Sequence, residues 1–123
     1  MNRVDANVVL RYLLDDHAEL SEKATQIIEN ERLHLSFEVM CEIVYVLLGV
    51  YKVSRSEIVE LLKTLLEREN VDTTDSAISG MALDLFMQKN VDFVDALLCA
   101  YHQKRADRIF TFDKKIESII HAG

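Results

Sequence analysis

The sequence predicts an α/β fold with a central parallel sheet of short strands. Two observations carry this. Apolar residues recur with the helical period over most of the chain, and short segments of strand character separate the helical stretches. There is also no internal repeat and no Pro, Gly or Ser-rich linker, so the pattern reads as one domain over residues 1–123.

Taken in order, the opening "NRVDANVVLRYLLDD" reads as a very short strand, Arg3 to Asp5, followed by a helix over Val8 to Leu14. Ser21 to Asn30 is a further helix, and Leu33 to Leu35 a second strand. Met40, Ile43, Val44, Leu47 and Leu48 lie on one face of the next helix, with Ser36 as its cap. Ile58, Leu61, Leu62, Leu65 and Leu66 repeat at i, i+3, i+4, i+7 and i+8, with Ser54 or Ser56 before them. Asn70 to Asp72 is the third strand. Ile78, Met81, Ala82 and Leu85 mark a helix capped by Asp75 or Ser76. Phe93 to His102 is helical, Arg108 to Phe110 is the fourth strand, and "DKKIESII" is a short last helix.

Composition narrows the function classes. Half of the residues are hydrophobic, so the chain is long and apolar enough to bury a sizeable core. The apolar run Ile43 to Tyr51 is too short to span a bilayer. Arg11, Asp15 and Asp16 interrupt any signal-peptide core, and a cytoplasmic protein is expected. Cys41 and Cys99 form no CxxC pair and read as reduced core residues, with no zinc site. His17, His34 and His121 form no zinc spacing either. Only three glycines and no proline occur, so a glycine-rich phosphate loop is absent, which removes P-loop and dinucleotide folds. The net charge of −7 argues against coating nucleic acid by electrostatics alone. It leaves a nuclease open, because metal ions held by carboxylates bring positive charge to a phosphate.

The carboxylates are the informative residues. In open α/β sheets, ligands sit beyond the carboxyl ends of the strands. Asp5 ends the first strand and Asp113 follows the fourth. "FEVMCEIVYVL" puts Glu38 and Glu42 on one helix face, and "NVDFVDALLCAYH" does the same for Asp92 and Asp95. Each has a plainer reading. Asp5 taken alone reads more readily as an N-cap or turn residue; as a site residue it would have no folding role. Glu38 and Glu42 read as solvated helix residues, Asp92 as the cap of the helix that follows, and Asp113 as the cap of the last helix. Asp95 is hardest to assign to the fold, because it sits one turn into an otherwise apolar helix.

Four segments in order, "VDANVVLRYLL", "CEIVYVL", "DFVDALLCA" and "IFTFDKKI", resemble the PIN domain family of metal-dependent ribonucleases. Within it they resemble the VapC-type toxins of prokaryotic toxin–antitoxin pairs. The resemblance implies a three-layer α/β/α domain and assigns Asp5 with Asn7, Glu42 rather than Glu38, Asp95 rather than Asp92, and Asp113 with Thr111. The chain departs from the family in its clipped first strand, in stopping at "IIHAG" where many relatives carry a final strand, and in Val91-Asp92-Phe93, where a proline is common.

The implied chemistry is RNA phosphodiester hydrolysis leaving a 5′-phosphate and a 3′-hydroxyl. Mg²⁺ or Mn²⁺ is the expected cofactor, since hard cations prefer oxygen ligands. Asp5 and Asp95 are the expected metal ligands, Glu42 and Asp113 complete the set, and Asn7 and Thr111 orient ligands or waters. Arg11, Lys104, Arg105, Lys114 and Lys115 flank the motifs and are candidates for RNA phosphates. Taken singly, each reads as a solvated helix residue, and His102 reads as an ordinary, partly buried histidine. The resemblance further implies a homodimer paired with an antitoxin protein, and no membrane. Two rivals stand beside this reading: a phospho-acceptor receiver domain, and a PIN-fold binding module without catalysis. The lysine expected after a receiver's last strand is missing, and the full set of acids argues against an inactive module.

Overall fold

Short polar side chains open the helices. In the computed structural model, which describes residues 1–122, the first such case is Asp5. Its Oδ1 accepts from the Val8 backbone N–H at 3.0 Å and starts helix α1, Ala6–Leu14. Helix α2, Ala18–Asn30, starts on an unusual cap: His17 Nδ1 accepts from the Leu20 N–H at 3.1 Å. Strand β1, Leu33–Leu35, leads directly into helix α3, Phe37–Gly49, capped by Ser36. Ser54 rather than Ser56 caps helix α4, Arg55–Leu66. Strand β2 is Val71–Thr73, one residue later than the sequence suggests. Asp75 rather than Ser76 caps helix α5, Ser76–Lys89. Helix α6, Phe93–Arg105, runs nearly a turn past His102, and helix α7 is Lys114–Ala122.

These elements form two compact units, Met1–Thr74 and Asp75–Gly123. In the first, β1 and β2 pair in parallel, with Leu33, His34 and Leu35 opposite Val71, Asp72 and Thr73. Helix α1 packs on α2 and α3, α3 on α4, and α4 on β2. Val9, Ile28, Met40, Ile43, Leu47, Ile58 and Leu62 are fully buried on the apolar faces of their helices, as is Leu35 on β1. Asn70 braces the strand entrance, its side-chain amide donating to the carbonyls of Ile28 and Glu31 at 2.6 and 2.7 Å. In the second unit α5 packs on α6, and α6 on α7. Phe86 and Phe93 meet edge to face, with ring centroids 6.1 Å apart.

The α/β class and the short parallel sheet are as expected, but two of the four expected strands are not strands. Arg3 to Asp5 contributes only an isolated parallel bridge, Arg3 with His34, because Asp5 already starts a helix. Arg108 to Phe110 forms no strand. Among the described residues its backbone meets no ladder partner, and a strand exists only by pairing.

The shortage of glycine shows at the helix ends. Helices α1, α5 and α6 end on Asp15, Asn90 and Ala106, with φ of 49°, 53° and 59°. Asp and Asn tolerate the left-handed region, whereas Ala106 sits there at a cost of about 1 kcal/mol.

Candidate functional site

In Met1–Thr74 the candidate acids stand on two helices. Asp5 is exposed at the N-terminus of α1, and its capping bond uses Oδ1 alone. The expectation that folding gains nothing from this carboxylate is therefore corrected: a cap of this kind is worth about 1 kcal/mol. Asn7 is exposed in the first turn of the same helix. Glu38 and Glu42 are both exposed on α3, one helical turn apart. Arg11, considered for RNA phosphates, is spent inside the unit. Its guanidinium donates to Asp16 at 2.8 Å and to the Tyr51 hydroxyl at 2.9 Å.

In Asp75–Gly123 the acids gather. Asp92 occupies the cap position of α6 but makes no capping hydrogen bond, contrary to the expected role. Asp95 lies in the first turn of α6, half-buried. Its carboxyl is pushed above the ordinary aspartate range, first by burial and then by the charges of Asp92 and Asp113. Cys99, one turn further along, is buried, and its thiol is raised by burial and then by Asp95 and Asp113. Asp95 and Asp113 thus face the same part of α6. Asp113 is held by its own backbone network. Its Oδ1 accepts from the N–H groups of Lys115 and Ile116 at 2.8 and 3.1 Å, the expected cap of α7. Thr111 Oγ1 accepts from the Asp113 N–H at 2.9 Å and fixes the approach to that residue.

The nearby cations are mostly committed. Arg105 is paired with Asp75, and the Arg105 hydrogen bond holds the Asp75 carboxyl below its ordinary range. Lys115 Nζ donates to the Asn90 carbonyl at 3.2 Å. His102 Nδ1 donates to the Asp107 carbonyl at 3.0 Å, tying down the end of α6 as an ordinary structural histidine would. Both cysteines are free, as expected, but only Cys99 is a core residue, since Cys41 is half-buried.

The pair formed by His34 and Asp72 was not among the expected features. Their side chains meet at 2.6 Å across β1 and β2, with the His34 ring largely buried. Strand register reveals it, and the signal was a titratable residue at the centre of each three-residue strand.

The donor chemistry suits a hard divalent cation: every candidate ligand is a carboxylate, and Asp95 is an acid whose neighbours disfavour its anion. Among the described residues, however, no three His, Cys, Asp or Glu side chains converge closely enough to hold an ion by themselves.

Short α/β elements, acids at helix starts and a crowded aspartate in the first turn of α6 define a class of fold and site. The sequence matches the PIN domain family over residues 4–121, nearly the whole chain. The protein belongs to the PIN domain family, whose members are generally nucleases, often toxin–antitoxin components, and generally use divalent metal ions. No curated protein and no solved structure matches the chain. Among the described residues no helix is long and apolar enough to cross a membrane.

Proposed function

We propose that this protein is a Mg²⁺- or Mn²⁺-dependent endoribonuclease that hydrolyses RNA phosphodiester bonds as the toxin of a toxin–antitoxin pair. Family membership supports a nuclease. The observation that carries the reading is Asp95, an acid disfavoured as an anion by its half-burial and by two other acids, in the otherwise apolar stretch Phe93 to Ala100. Such crowding is unfavourable for the fold alone and is relieved by a cation.

In this reading Asp5, Glu42, Asp95 and Asp113 all serve one reaction. Asp5 and Asp113 each commit Oδ1 to backbone N–H groups, which fixes the rotamer and leaves Oδ2 outside those bonds. Thr111 holds the backbone at Asp113, and Asn7 orients ligands or waters beside Asp5. A bound divalent ion supplies a Lewis acid for the phosphate and a water of lowered pKa. Asp95, half-buried where the other candidate acids are exposed, gains most as an anion from a positive charge nearby. Hydrolysis leaves a 5′-phosphate and a 3′-hydroxyl. The expected assembly is a homodimer held inactive by an antitoxin, whose basic segment would suit a chain of net charge −7.

The test is cleavage of a panel of tRNA, rRNA and messenger fragments by the purified protein, with Mg²⁺, with Mn²⁺ and with EDTA. Cleavage that requires the metal and leaves 5′-phosphate ends is expected. Metal binding and RNA binding without any cleavage would instead establish a PIN-fold module that has lost catalysis.

A further inference from the structure

The segment between α6 and α7 presents two phenylalanines to solvent. Phe110 is 83% exposed and Phe112 fully so. Ordinary surface apolar residues keep part of their area covered, and leaving two aromatic rings in water forgoes much of what burial contributes. The exposure follows a pattern. Arg108, Phe110 and Phe112 are exposed while Ile109 and Thr111 between them are half-buried. All three of those side chains therefore face outward. The Arg108 guanidinium lies over the Phe110 ring, 4.9 Å from its centroid, which covers one ring face and orients it. Thr111 and Asp113 brace the segment from the other side through the bond from the Asp113 N–H to Thr111 Oγ1.

The charge around these rings is opposite to that of the chain. From Lys104 to Lys115 there are five cations and two acids, in a protein of net charge −7; Arg105 is paired with Asp75 and Lys115 with the Asn90 carbonyl, while Lys104, Arg108 and Lys114 are exposed. Exposed aromatics interleaved with cations match a single-stranded nucleic acid, whose unstacked bases offer π faces and whose phosphates need cations. A protein partner would be served worse, because lysine, which supplies three of these five cations, is depleted at protein interfaces.

We infer that Phe110 and Phe112 form a stacking platform for the bases of single-stranded RNA, delivering the strand to Asp113, the next residue along. This rests on the ribonuclease reading above and adds to it the surface that would hold the strand.

The test separates binding from cleavage. A fluorescein-labelled single-stranded RNA 12-mer and a duplex of the same length are titrated in EDTA, where no metal-dependent cleavage occurs. The proteins are the parent, Phe110→Ala, Phe112→Ala, the double variant and Phe110→Trp. Each alanine is expected to weaken single-strand binding about tenfold, and the double variant more. Phe110→Trp is expected to retain parental affinity, and the duplex to bind weakly and indifferently to the substitutions. The rings are exposed, so thermal midpoints are expected to stay at the parental value. The platform is overturned if the double variant binds single strands within twofold of the parent, or if duplex binding falls equally. It is overturned also if the parent sediments as a dimer that the double variant abolishes, since the rings would then cover each other. Parental cleavage by the double variant, with unchanged binding, removes the platform and leaves the nuclease intact. Ring-dependent binding by a parent that never cleaves removes the nuclease and leaves the platform.

Discussion

Asp5 at the start of α1 and Asp95 in the first turn of α6 are both aspartates at helix N-termini, and the fold treats them oppositely. Asp5 is exposed and accepts a backbone N–H. Asp95 is half-buried, its ionised form disfavoured by burial and by Asp92 and Asp113. The first carboxylate contributes to folding; the second costs the metal-free fold something. Residues that cost stability without a structural return are candidates for function. The lesson extends to neighbours: Asp92 sits at a cap position without capping, whereas Asp113 caps α7. Being at a helix start does not say which kind of acid a residue is.

Substitution by the isosteric amide separates the two kinds most sharply at the level of activity. Asp95→Asn and Glu42→Gln are each expected to lower the RNA cleavage rate at least about a hundredfold, roughly 3 kcal/mol of barrier. Asp92→Asn and Glu38→Gln are expected to cost far less. Single-turnover rates at saturating Mn²⁺ decide it. A larger loss for Asp92→Asn than for Asp95→Asn would reverse the assignment within α6.

Asp5 offers a finer break, because its two roles separate. Asparagine caps a helix nearly as well as aspartate but brings no charge. Asp5→Asn is therefore expected to abolish cleavage with the unfolding midpoint unchanged. Asp5→Ala is expected to lose activity and also about 1 kcal/mol of stability, read from urea unfolding. Equal stability for both variants would show that the bond to Val8 contributes nothing.

Much of this organisation was legible in the sequence. Ser36, the Ser54 or Ser56 choice and the Asp75 or Ser76 choice all fell where caps are found, because capping is local chemistry between residues three apart. The helical faces were legible for the same reason. The strand expected at Arg108 to Phe110 was not found, since pairing depends on distant backbone that composition does not reveal. "RIFTF" reads as part of a strand of the sheet, yet its phenylalanines face water. The family motifs marked Asp95, but only the fold showed that Asp113 is among its neighbours.

The smallest expected effects concern backbone alone and leave the contrast between acids untouched. A methyl group added at Gly80, mid-helix in α5, would meet nothing within 4 Å, so Gly80→Ala should add about 0.5–1 kcal/mol. Ala106→Gly should add about 0.5 kcal/mol by relieving the left-handed cap of α6. Thermal unfolding reads both. Cleavage should follow neither, and a change in rate would mean that α5 or the end of α6 takes part in the chemistry.

The most direct measurement is thermal unfolding of the parent and of Asp95→Asn, each in EDTA and in Mn²⁺, across pH. Because the folded-state pKa of Asp95 is raised, its ionisation opposes folding. The penalty is absent below the ordinary aspartate range and grows as pH rises through that range toward the raised value. In EDTA at neutral pH, Asp95→Asn is therefore expected to melt above the parent, with the gap closing as the solution is acidified. Mn²⁺ is expected to raise the parent's midpoint, by about 2.7 kcal/mol of stability at a hundredfold excess over its dissociation constant, and to raise that of Asp95→Asn less. A parent midpoint unmoved by millimolar Mn²⁺, together with no gain from Asp95→Asn in EDTA, would contradict a metal-dependent site at Asp95.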